Sequence, residues 1–209
     1  MSQPPSEIDL YFAPTGNGYR AAIALEACQI PHRRIVVNIE GGQHRTPEFL
    51  ALNPLGAIPV IVDRNGHGGQ PLVLSQSGAI LLHAAERSGR FIPADPQARL
   101  RVLQWFMAAI SDAAVGNTLT RYIKLNAPDK SEANDAYFLE RLRTLFAAFD
   151  RQIGGNEFIA GELSIADLAL YPVINMRLDL VESAKLGSLA AWFERLSLYE
   201  PIARAYGRT

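Results

Sequence analysis

The spacing of apolar side chains changes near residue 91 of the 209-residue chain. Before that point, short apolar runs are separated by clusters of Pro and Gly, which is typical of strands joined by turns. After it, apolar residues recur three or four positions apart over long segments, which is typical of amphipathic helices. The chain is therefore expected to form a smaller α/β domain over residues 1–90 and a larger, all-helical domain over residues 91–209.

The first domain is predicted to follow the order strand, helix, strand, then strand, strand, helix. The strands are expected at residues 8–12, 34–39, 58–63 and 71–74. The helices are expected at residues 19–27 and 77–87, with a helical turn at 46–52. The glycine-rich segment from Asn65 to Gly69 predicts a hairpin loop between the last two strands. This order matches a thioredoxin-like α/β fold.

The second domain carries its own helix-start signals. Asp95 and Pro96 predict an N-cap and first helical position for a helix that runs to about Lys124. Further helices are expected at residues 131–153, from 164 onward, and near 189–198 and 202–206. Ser164 and Asp167 invite a catalytic interpretation, but no histidine lies near them in sequence. Their spacing matches a capping box with Asp in place of Glu or Gln, so we expect them to cap a helix.

Composition narrows the class of protein. Apolar residues make up 48% of the chain and charged residues 20%, which is an ordinary balance for a globular protein. The formal net charge is −1, and no basic block favours binding to nucleic acid or to a membrane surface. Residues 1–7 lack the features of a signal peptide, and no apolar run is long enough to span a bilayer. A soluble, cytoplasmic protein is therefore expected. His32, His67 and His83 show no metal-ligand spacing, so no metal is expected.

Two short segments carry the candidate chemistry. Pro59 stands second in an apolar strand, where it cannot donate a ladder hydrogen bond. If the Ile58–Pro59 bond is cis, the amide and carbonyl of Ile58 can pair with an extended peptide ligand. Gln76 and Ser77 precede an apolar helical run, with Ser77 as a plausible N-cap, and a helix start attracts a carboxylate. Together these features predict a site for a small acidic peptide, and glutathione fits that description.

These segments resemble the cytosolic glutathione transferases, and the resemblance runs from about residue 9 to the C-terminus. It is strongest with the bacterial Nu class, which includes disulfide-bond reductases, through residues 10–18 and 41–44. The resemblance implies a thioredoxin-like N-terminal domain, an all-helical C-terminal domain and glutathione as cosubstrate. It also implies a homodimer.

Glutathione chemistry requires a group that stabilises the thiolate. The chain offers Tyr11, Thr15 and Asn17, together with the backbone amides of residues 16–19, and no Cys or Ser lies between residues 15 and 20. The Nu resemblance implies that Thr15 donates its hydroxyl to the sulfur, and that Asn17 adds a polar donor or holds a second glutathione. The alternative for both residues is a plain turn, and the two roles are compatible. Tyr11 alternates within a strand and is more often a core residue.

The resemblance also assigns the other end of the ligand. Gln43 and His44 lie in the loop where the family commonly holds the glycine end of glutathione, with a solvated loop as the alternative. The chain departs from Nu-like proteins at three positions. Ala57 stands where Lys is frequent, Gln76 stands where Glu is usual, and Tyr137 lies near the position of a basic group from the partner subunit.

The expected reaction is attack of the glutathione thiolate on an electrophilic carbon or a disulfide sulfur, and the sequence does not choose between these targets. The Nu resemblance favours reduction of small disulfides, with low conjugating and peroxidase activities. Cys28 is expected to be a small buried residue without a Cys-x-x-Cys partner, so disulfide exchange would use the sulfur of bound glutathione. An apolar pocket is expected around Phe106, Ile110, Val115 and Tyr122.

Two other classes of function stay open. The substitutions Ala57 and Gln76 support a non-catalytic glutathione-binding or regulatory module. A subunit scaffold in a larger complex would instead require an exposed apolar patch.

Overall fold

The computed structural model describes residues 8–66, 69–125, 127–128 and 131–208. His67, expected at the tip of the hairpin, lies outside the described residues. The chain divides into two compact units. The first holds the described residues up to Arg90 together with those from Tyr199 onward, and the second holds Phe91–Leu198.

The first unit is built on a four-stranded mixed sheet with the strand order β2-β1-β3-β4. The strands are β1 (Ile8–Phe12), β2 (His32–Val36), β3 (Val60–Asp63) and β4 (Leu72–Ser75). β1 runs parallel to β2 and antiparallel to β3, which is antiparallel to β4. Three helices accompany the sheet, namely α1 (Gly16–Ala27), α2 (Pro47–Leu52) and α3 (Ser77–Ser88), with a 3₁₀ turn at Gln43–Arg45. The predicted α/β N-terminal fold is confirmed.

Some element boundaries differ from the prediction, and each difference has a physical reason. β2 lies two residues earlier because its five residues pair in register with those of β1, from Ile8↔His32 to Phe12↔Val36. β3 begins at Val60 because Pro59 has no N–H to contribute to a ladder. α1 begins at Gly16, three residues early, because the Thr15 side chain caps it.

The core of this unit lies where α1 and α3 pack together beside the sheet. Side chains from both helices and from β1 and β3 are fully buried there: Ile8, Leu10, Ile23, Leu25, Ile61, Ile80 and Leu81. Burial of an aliphatic side chain of this size stabilises the fold by roughly 1.5–3 kcal/mol. The starts of α1 and α3 are therefore held in fixed positions.

The last helix, α10 (Glu200–Ala205), belongs to the first unit and packs against α1. Tyr206 stacks on Tyr19 with ring centroids 3.9 Å apart, and Arg204 Nε donates to Glu26 Oε2 at 2.9 Å. Arg34 also donates to the Ala205 carbonyl at 2.7 Å. These contacts attach the end of the chain to the first unit. The two compact units therefore differ from the expected domains, 1–90 and 91–209, in the placement of the chain end that carries α10. The domain limits themselves stay a prediction.

The second unit is helical throughout its main elements. They are α4 (Pro96–Met107), α5 (Ala114–Leu125), α6 (Glu132–Ile153), α7 (Ile165–Asn175), α8 (Leu178–Ser183) and α9 (Gly187–Ser197). The predicted all-helical architecture is confirmed. The helix expected from Pro96 to about Lys124 is confirmed as a continuous helical run, in which a π-helical segment, Ala108–Ala113, joins α4 to α5. The short helix α8 was missed because six residues carry too little periodicity.

The predicted helix caps of this unit are confirmed. Asp95 Oδ2 accepts from Ala98 N at 2.8 Å, and Pro96 is the first residue of α4. Ser164 and Asp167 form the capping box of α7, so their role is structural. No helix within the described residues is both long and apolar enough to cross a membrane.

Candidate functional site

The candidate site lies in the first unit, at the starts of α1 and α3. Thr15 is the N-cap of α1, and its Oγ1 accepts from Gly18 N at 3.1 Å. The bond uses a lone pair of the half-buried hydroxyl, and the hydroxyl proton meets no acceptor among the described residues. Thr15 can therefore cap the helix and donate to a ligand at the same time.

The turn that presents Thr15 is tightly packed. Thr15 N donates to Ala13 O at 2.7 Å, and Gly18 is buried against the same carbonyl. A Cβ added at Gly18 would lie 2.0 Å from Ala13 O, which no backbone shift of a few tenths of an ångström relieves. The glycine in Pro-Thr-Gly-Asn-Gly thus fixes the distance between β1 and the first turn of α1.

Arg20 links the starts of the two helices. Its side chain is buried, with 1% exposure, and its NH1 donates to Asn17 Oδ1 at 2.6 Å and to Ser77 Oγ at 2.9 Å. Ser77 Oγ also donates to Asn17 Oδ1 at 3.4 Å. Burial lowers the pKa of Arg20 to about 10, and Tyr206 opposes that shift, so the guanidinium is charged at neutral pH.

The sequence analysis missed Arg20. The one available signal was its spacing, because a charged residue stands three positions after Asn17 on a face otherwise formed by Ala, Ile and Leu. Its partner Ser77 lies 57 residues away, and no local pattern connects the two.

Ser77 is not the N-cap of α3, so that expectation is wrong. Gln76 occupies the cap position without a capping bond from its side chain, and Ser77 is the first helical residue. The Gln76 carbonyl accepts from Ile80 N at 3.0 Å and so begins the helix, while the Ser77 hydroxyl turns inward to accept from Arg20. The backbone amides of Ser77 and Gly78 meet no acceptor among the described residues, as expected for the first turn of a helix. These amides can bind an anion.

Gln76 has a backbone conformation that is unusual for a residue with a side chain. Its φ is 73° and its ψ is 116°, and its side chain is exposed. Such a conformation costs of order 1–3 kcal/mol and persists only where the neighbouring structure enforces it. Here β4 and α3 flank the residue on both sides, so the side chain of Gln76 is presented beside the start of α3.

The segment before β3 provides free main-chain groups. The Ile58–Pro59 peptide bond is cis, as the predicted peptide-binding edge requires. Within the described residues, neither the amide nor the carbonyl of Ile58 forms a backbone hydrogen bond. The neighbouring Ala57 carbonyl accepts instead from Asn53 Nδ2 at 2.7 Å. Ile58 itself is half-buried against a core cluster that includes Phe49.

Gln43 and His44 lie together in the 3₁₀ turn. Gln43 Oε1 accepts from Asn38 N at 2.9 Å, and the exposed side chain keeps its amide N–H groups for another partner. His44 Nδ1 is buried and finds no partner among the described residues. The turn lies against the segment before β3, because a Cβ added at Gly56 would lie 3.0 Å from the His44 carbonyl.

The candidate residues therefore form two groups. One joins Asn17 and Ser77 through Arg20, with Thr15 in the same first turn of α1. The other places the Gln43–Arg45 turn beside Gly56, two residues before Ile58. No hydrogen bond or ion pair joins the two groups in the described part of the chain.

Three other sequence-based expectations have clear outcomes. Tyr11 packs edge-to-face on Phe49, with centroids 6.1 Å apart, so its placement beside the core is confirmed. Cys28 is 5% exposed, and burial raises the pKa of its thiol, so its buried placement is also confirmed. The proposed lining role of Phe106 is wrong, since this residue shares the inner face of α4 with Val102 and is 1% exposed.

The other residues of the expected apolar pocket do not form one cavity. Val115 lines a groove of about 940 Å³ in the second unit, together with Leu119 and Tyr137. Tyr122 is 58% exposed and is not part of that groove. Within the described residues, no cluster of three or more His, Cys, Asp or Glu side chains could hold a metal ion.

Known proteins are similar to this chain in both sequence and fold. Models of the glutathione S-transferase N-terminal and C-terminal domains match residues 17–87 and 102–198. Disulfide-bond oxidoreductase YfcG of Escherichia coli (strain K12) is 36% identical over 197 residues, which cover 90% of this chain and 89% of that protein.

Solved structures agree. A glutathione transferase from Burkholderia graminis, with two glutathione molecules bound per subunit, has a TM-score of 0.90 at 27% identity and covers 98% of this chain and 89% of its own. A glutathione transferase from Pseudomonas putida, with one glutathione disulfide per subunit, has a TM-score of 0.78 at 30% identity, with coverages of 99% and 87%. With both domain models matched in order and 36% identity along nine tenths of its length, the chain belongs to the glutathione S-transferase family.

Proposed function

We propose that this protein is a glutathione-dependent enzyme in which the thiolate of bound glutathione attacks a small disulfide or an electrophile. Family membership supports the use of glutathione, and the similarity to an oxidoreductase acting on disulfide bonds favours sulfur as the target. The single observation that carries the proposal is the half-buried hydroxyl of Thr15, capped onto α1 with its proton still available.

Glutathione would be held along its length by the groups described above. The γ-glutamyl carboxylate would accept from the amides of Ser77 and Gly78 at the start of α3, where the helix dipole favours an anion. The cysteinyl residue would pair with the free amide and carbonyl of Ile58, next to Pro59. Gln76 would receive the γ-glutamyl ammonium through its amide oxygen.

The glycine end would be held by the 3₁₀ turn. Gln43 offers its side-chain N–H groups, and the half-buried His44 lies beside it in the same turn. Ala57 is exposed and has no charge for the glycyl carboxylate, which leaves these two residues as the main contacts.

The catalytic role falls to Thr15, with Asn17 as a further polar donor. A hydroxyl donating to the glutathione sulfur stabilises the thiolate over the thiol and so lowers its pKa. The thiolate attacks one sulfur of the disulfide and forms a mixed disulfide, while the other sulfur leaves as a thiolate. A second glutathione thiolate then attacks the mixed disulfide, which gives glutathione disulfide and the reduced product.

Two features of the relatives and of this chain support that sequence of steps. Related proteins have been solved with two glutathione molecules or with glutathione disulfide bound, which are the reductant consumed and the oxidised product formed by the two steps together. The chain's own thiol, Cys28, is buried and its pKa is raised, so it is a poor nucleophile. Thiol chemistry of this kind also suits a reducing compartment, and we place the enzyme in the cytoplasm.

A second candidate function is a glutathione-binding module without useful turnover. It is favoured by Ala57 and Gln76, which remove a charge from each end of the proposed site relative to Nu-like proteins. Measurable glutathione binding, with no turnover of either an aryl halide or a mixed disulfide, would support this second function over the first.

Thr15→Ala tests the catalytic assignment. We expect kcat for disulfide reduction to fall about 10- to 100-fold and the apparent pKa of the bound thiol to rise, because loss of a hydrogen bond to a charged group costs roughly 1.5–3 kcal/mol. Thr15→Ser keeps the hydroxyl and should retain most of the activity. The measurements are steady-state kinetics and the pH dependence of kcat.

Ser131→Ala is the matched control, because it removes an N-cap from α6 in the second unit, where Ser131 Oγ accepts from Asn134 N at 3.2 Å. It should cost about 1 kcal/mol of stability and leave kcat unchanged. If Thr15→Ala keeps the wild-type kcat and thiol pKa, Thr15 is only a helix cap and the catalytic assignment is wrong.

A further inference from the structure

A buried guanidinium at the base of the candidate site requires a reason. Desolvating a positive charge is costly unless polar groups compensate, and proteins rarely bury arginine completely. Arg20 is 1% exposed, and two of its hydrogen bonds go to Asn17 and Ser77, which belong to different helices. Both partners are residues of the proposed glutathione site.

The first bond sets the orientation of the Asn17 amide. Because the guanidinium can only donate, the atom of Asn17 that lies 2.6 Å from it is the carbonyl oxygen. The amide nitrogen then points away from Arg20, and the side chain as a whole is exposed. Asn17 thus presents two N–H donors outward and no acceptor, which suits a ligand group that accepts hydrogen bonds, such as a carboxylate or a thiolate.

The second bond fixes the start of α3. Ser77 Oγ accepts from Arg20 and donates to Asn17 Oδ1, so both hydroxyl functions point inward. The side chain therefore anchors the first residue of α3 to α1. The amides of Ser77 and Gly78 are held at a set distance from Asn17 as a result.

The chain end covers the same part of α1. Tyr206 stacks on Tyr19, the residue before Arg20, with an interplanar angle of 14°, and the Arg208 guanidinium lies 4.6 Å from the Tyr206 ring centre. This packing keeps water from the region of the buried guanidinium. In a dry environment each of its hydrogen bonds is stronger than it would be in water.

We propose that Arg20 is a positioning residue for glutathione, which holds the Asn17 amide with its N–H groups outward and anchors the first turn of α3 through Ser77. The inference rests on the proposed function, since it concerns the same site. Arg20 is too deeply buried to touch the ligand itself, so it acts through these two neighbours. Its loss should weaken glutathione binding and leave the Thr15 hydroxyl in place.

Asn17→Asp is the sharpest test. A carboxylate keeps the bond to Arg20 but replaces the outward N–H donors by an acceptor, so the fold should be retained while a ligand carboxylate or thiolate is repelled. We expect the Kd for glutathione, measured by titration calorimetry, to rise about tenfold or more, and the midpoint of urea unfolding to be unchanged or higher. Unchanged affinity for glutathione would overturn the assigned orientation of Asn17.

Arg20→Gln and Arg20→Lys test the anchor itself. Arg20→Gln should raise the Kd and the KM for glutathione about tenfold or more, with a smaller change in kcat and a smaller shift in the pH at which the bound thiol ionises than Thr15→Ala causes. Arg20→Lys keeps one charged donor and should recover part of the affinity. In an Asn17→Ala, Ser77→Ala background, Arg20→Gln should change the Kd further by less than about twofold, because the two side chains through which it acts on the ligand are already removed.

Arg177→Gln is the matched control. Arg177 makes the same kind of contacts in the second unit, where its NH1 donates to Asn117 Oδ1 and Thr120 Oγ1 at 3.5 and 3.2 Å. This variant should lose stability without a change in the Kd for glutathione. If Arg20→Gln lowers stability alone, or if its effect on the Kd adds fully to that of the double variant, Arg20 is only structural.

The outcomes separate this inference from the function on which it rests. A wild-type protein that fails to bind glutathione refutes the proposed function. A wild-type protein that binds glutathione, together with Asn17→Asp and Arg20→Gln variants that bind it equally well, refutes the positioning role alone. If Arg20→Gln does not fold, Asn17→Asp decides the question by itself, because it keeps the guanidinium and its partner oxygen.

Discussion

Asp63 is a buried carboxylate that joins the end of β3 to α3. It is 0% exposed, and it receives His83 Nε2 at 3.2 Å, Arg87 NH1 at 2.6 Å and the amide of Asn65 at 3.0 Å. Burial raises the pKa of Asp63, but the hydrogen bonds from Asn65, His83 and Arg87 outweigh it and hold the pKa below its ordinary value. The charged form of this carboxylate therefore stabilises the folded state.

This residue gives a pH-dependent prediction. Because the folded-state pKa of Asp63 lies below the unfolded one, its contribution is complete above the unfolded value and is lost as the pH falls through the folded value. Asp63→Asn should therefore cost about 3–5 kcal/mol of unfolding free energy at pH 7, since it removes the buried negative charge that accepts from His83 and Arg87. The difference from wild type should shrink as the pH falls below about 4.

Urea unfolding at pH 7 and pH 3 measures this effect. Asp179→Asn provides the control, because Asp179 is a 67% exposed carboxylate whose ion pair with Arg177, at 3.3 Å, should contribute less than about 1 kcal/mol at either pH. An equal loss for Asp63→Asn at both pH values would contradict the linkage.

At the scale of single elements, the start of α7 depends on one buried carboxylate. Asp167 Oδ2 accepts from Ser164 N at 3.0 Å, and its Oδ1 accepts from Ile159 N at 3.0 Å and Trp192 Nε1 at 2.8 Å. Asp167 thus does more than cap its own helix, because it also fixes the preceding loop and α9. Burial raises the pKa of this carboxyl, against the effect of those hydrogen bonds.

Asp167→Ala should be far more costly than the loss of an ordinary cap. The substitution leaves three buried N–H groups without an acceptor, at roughly 1–3 kcal/mol each, so we expect a loss of about 3–5 kcal/mol or failure to fold. Asp167→Asn keeps an acceptor and should fold with a smaller loss. Urea unfolding compares both with Ser131→Ala, which should cost only about 1 kcal/mol. Similar losses for Asp167→Ala and Ser131→Ala would contradict the multiple role.

Local chemistry explains which elements could be predicted. Asp95-Pro96 and Ser164–Asp167 hold the starts of α4 and α7 within a few neighbouring residues, so a short window of sequence contains the whole signal. The strand β2 is different, since its limits follow from pairing with β1 in another part of the chain. The predicted start of α1 is three residues late, because Pro-Thr-Gly-Asn-Gly is typical of a turn as well as of a helix start capped by Thr15.

The candidate site divides in the same way. Thr15, Asn17, Ile58 and Ser77 could be proposed because each stands at a strand or helix end that the sequence marks. The inward orientation of Ser77 could not, because it depends on Arg20, 57 residues away. A buried charge contradicts the usual pattern of apolar positions, so periodicity alone assigns that position to the surface.

At the scale of the whole molecule, the second unit presents an apolar groove. Val115, Leu119 and Tyr137 line it and are 48%, 41% and 59% exposed. Exposed apolar side chains grouped in this way are typical of protein–protein interfaces. The resemblance to Nu-like proteins places a partner subunit near Tyr137, and we expect a homodimer that covers this groove.

Tyr137→Glu tests the dimer. A carboxylate at a symmetric interface must be desolvated in both subunits, so we expect the dissociation constant to rise by more than about 100-fold. Analytical ultracentrifugation measures it. Leu198→Glu is the control, because Leu198 is 87% exposed and lies outside the groove, and it should leave the dimer intact. A monomeric wild-type protein, or a Tyr137→Glu variant that dimerises normally, would contradict this surface.

The burial of Cys28 has a consequence for the resistance of the enzyme to oxidation. An enzyme whose nucleophilic sulfur is its own cysteine is lost when that sulfur is over-oxidised to a sulfinic or sulfonic acid. Here the chain has a single cysteine, which is 5% exposed, and the reacting sulfur would arrive and depart with the tripeptide. An over-oxidised glutathione would dissociate and be replaced by another molecule from the cell. Oxidation of the reacting sulfur would therefore not inactivate the enzyme.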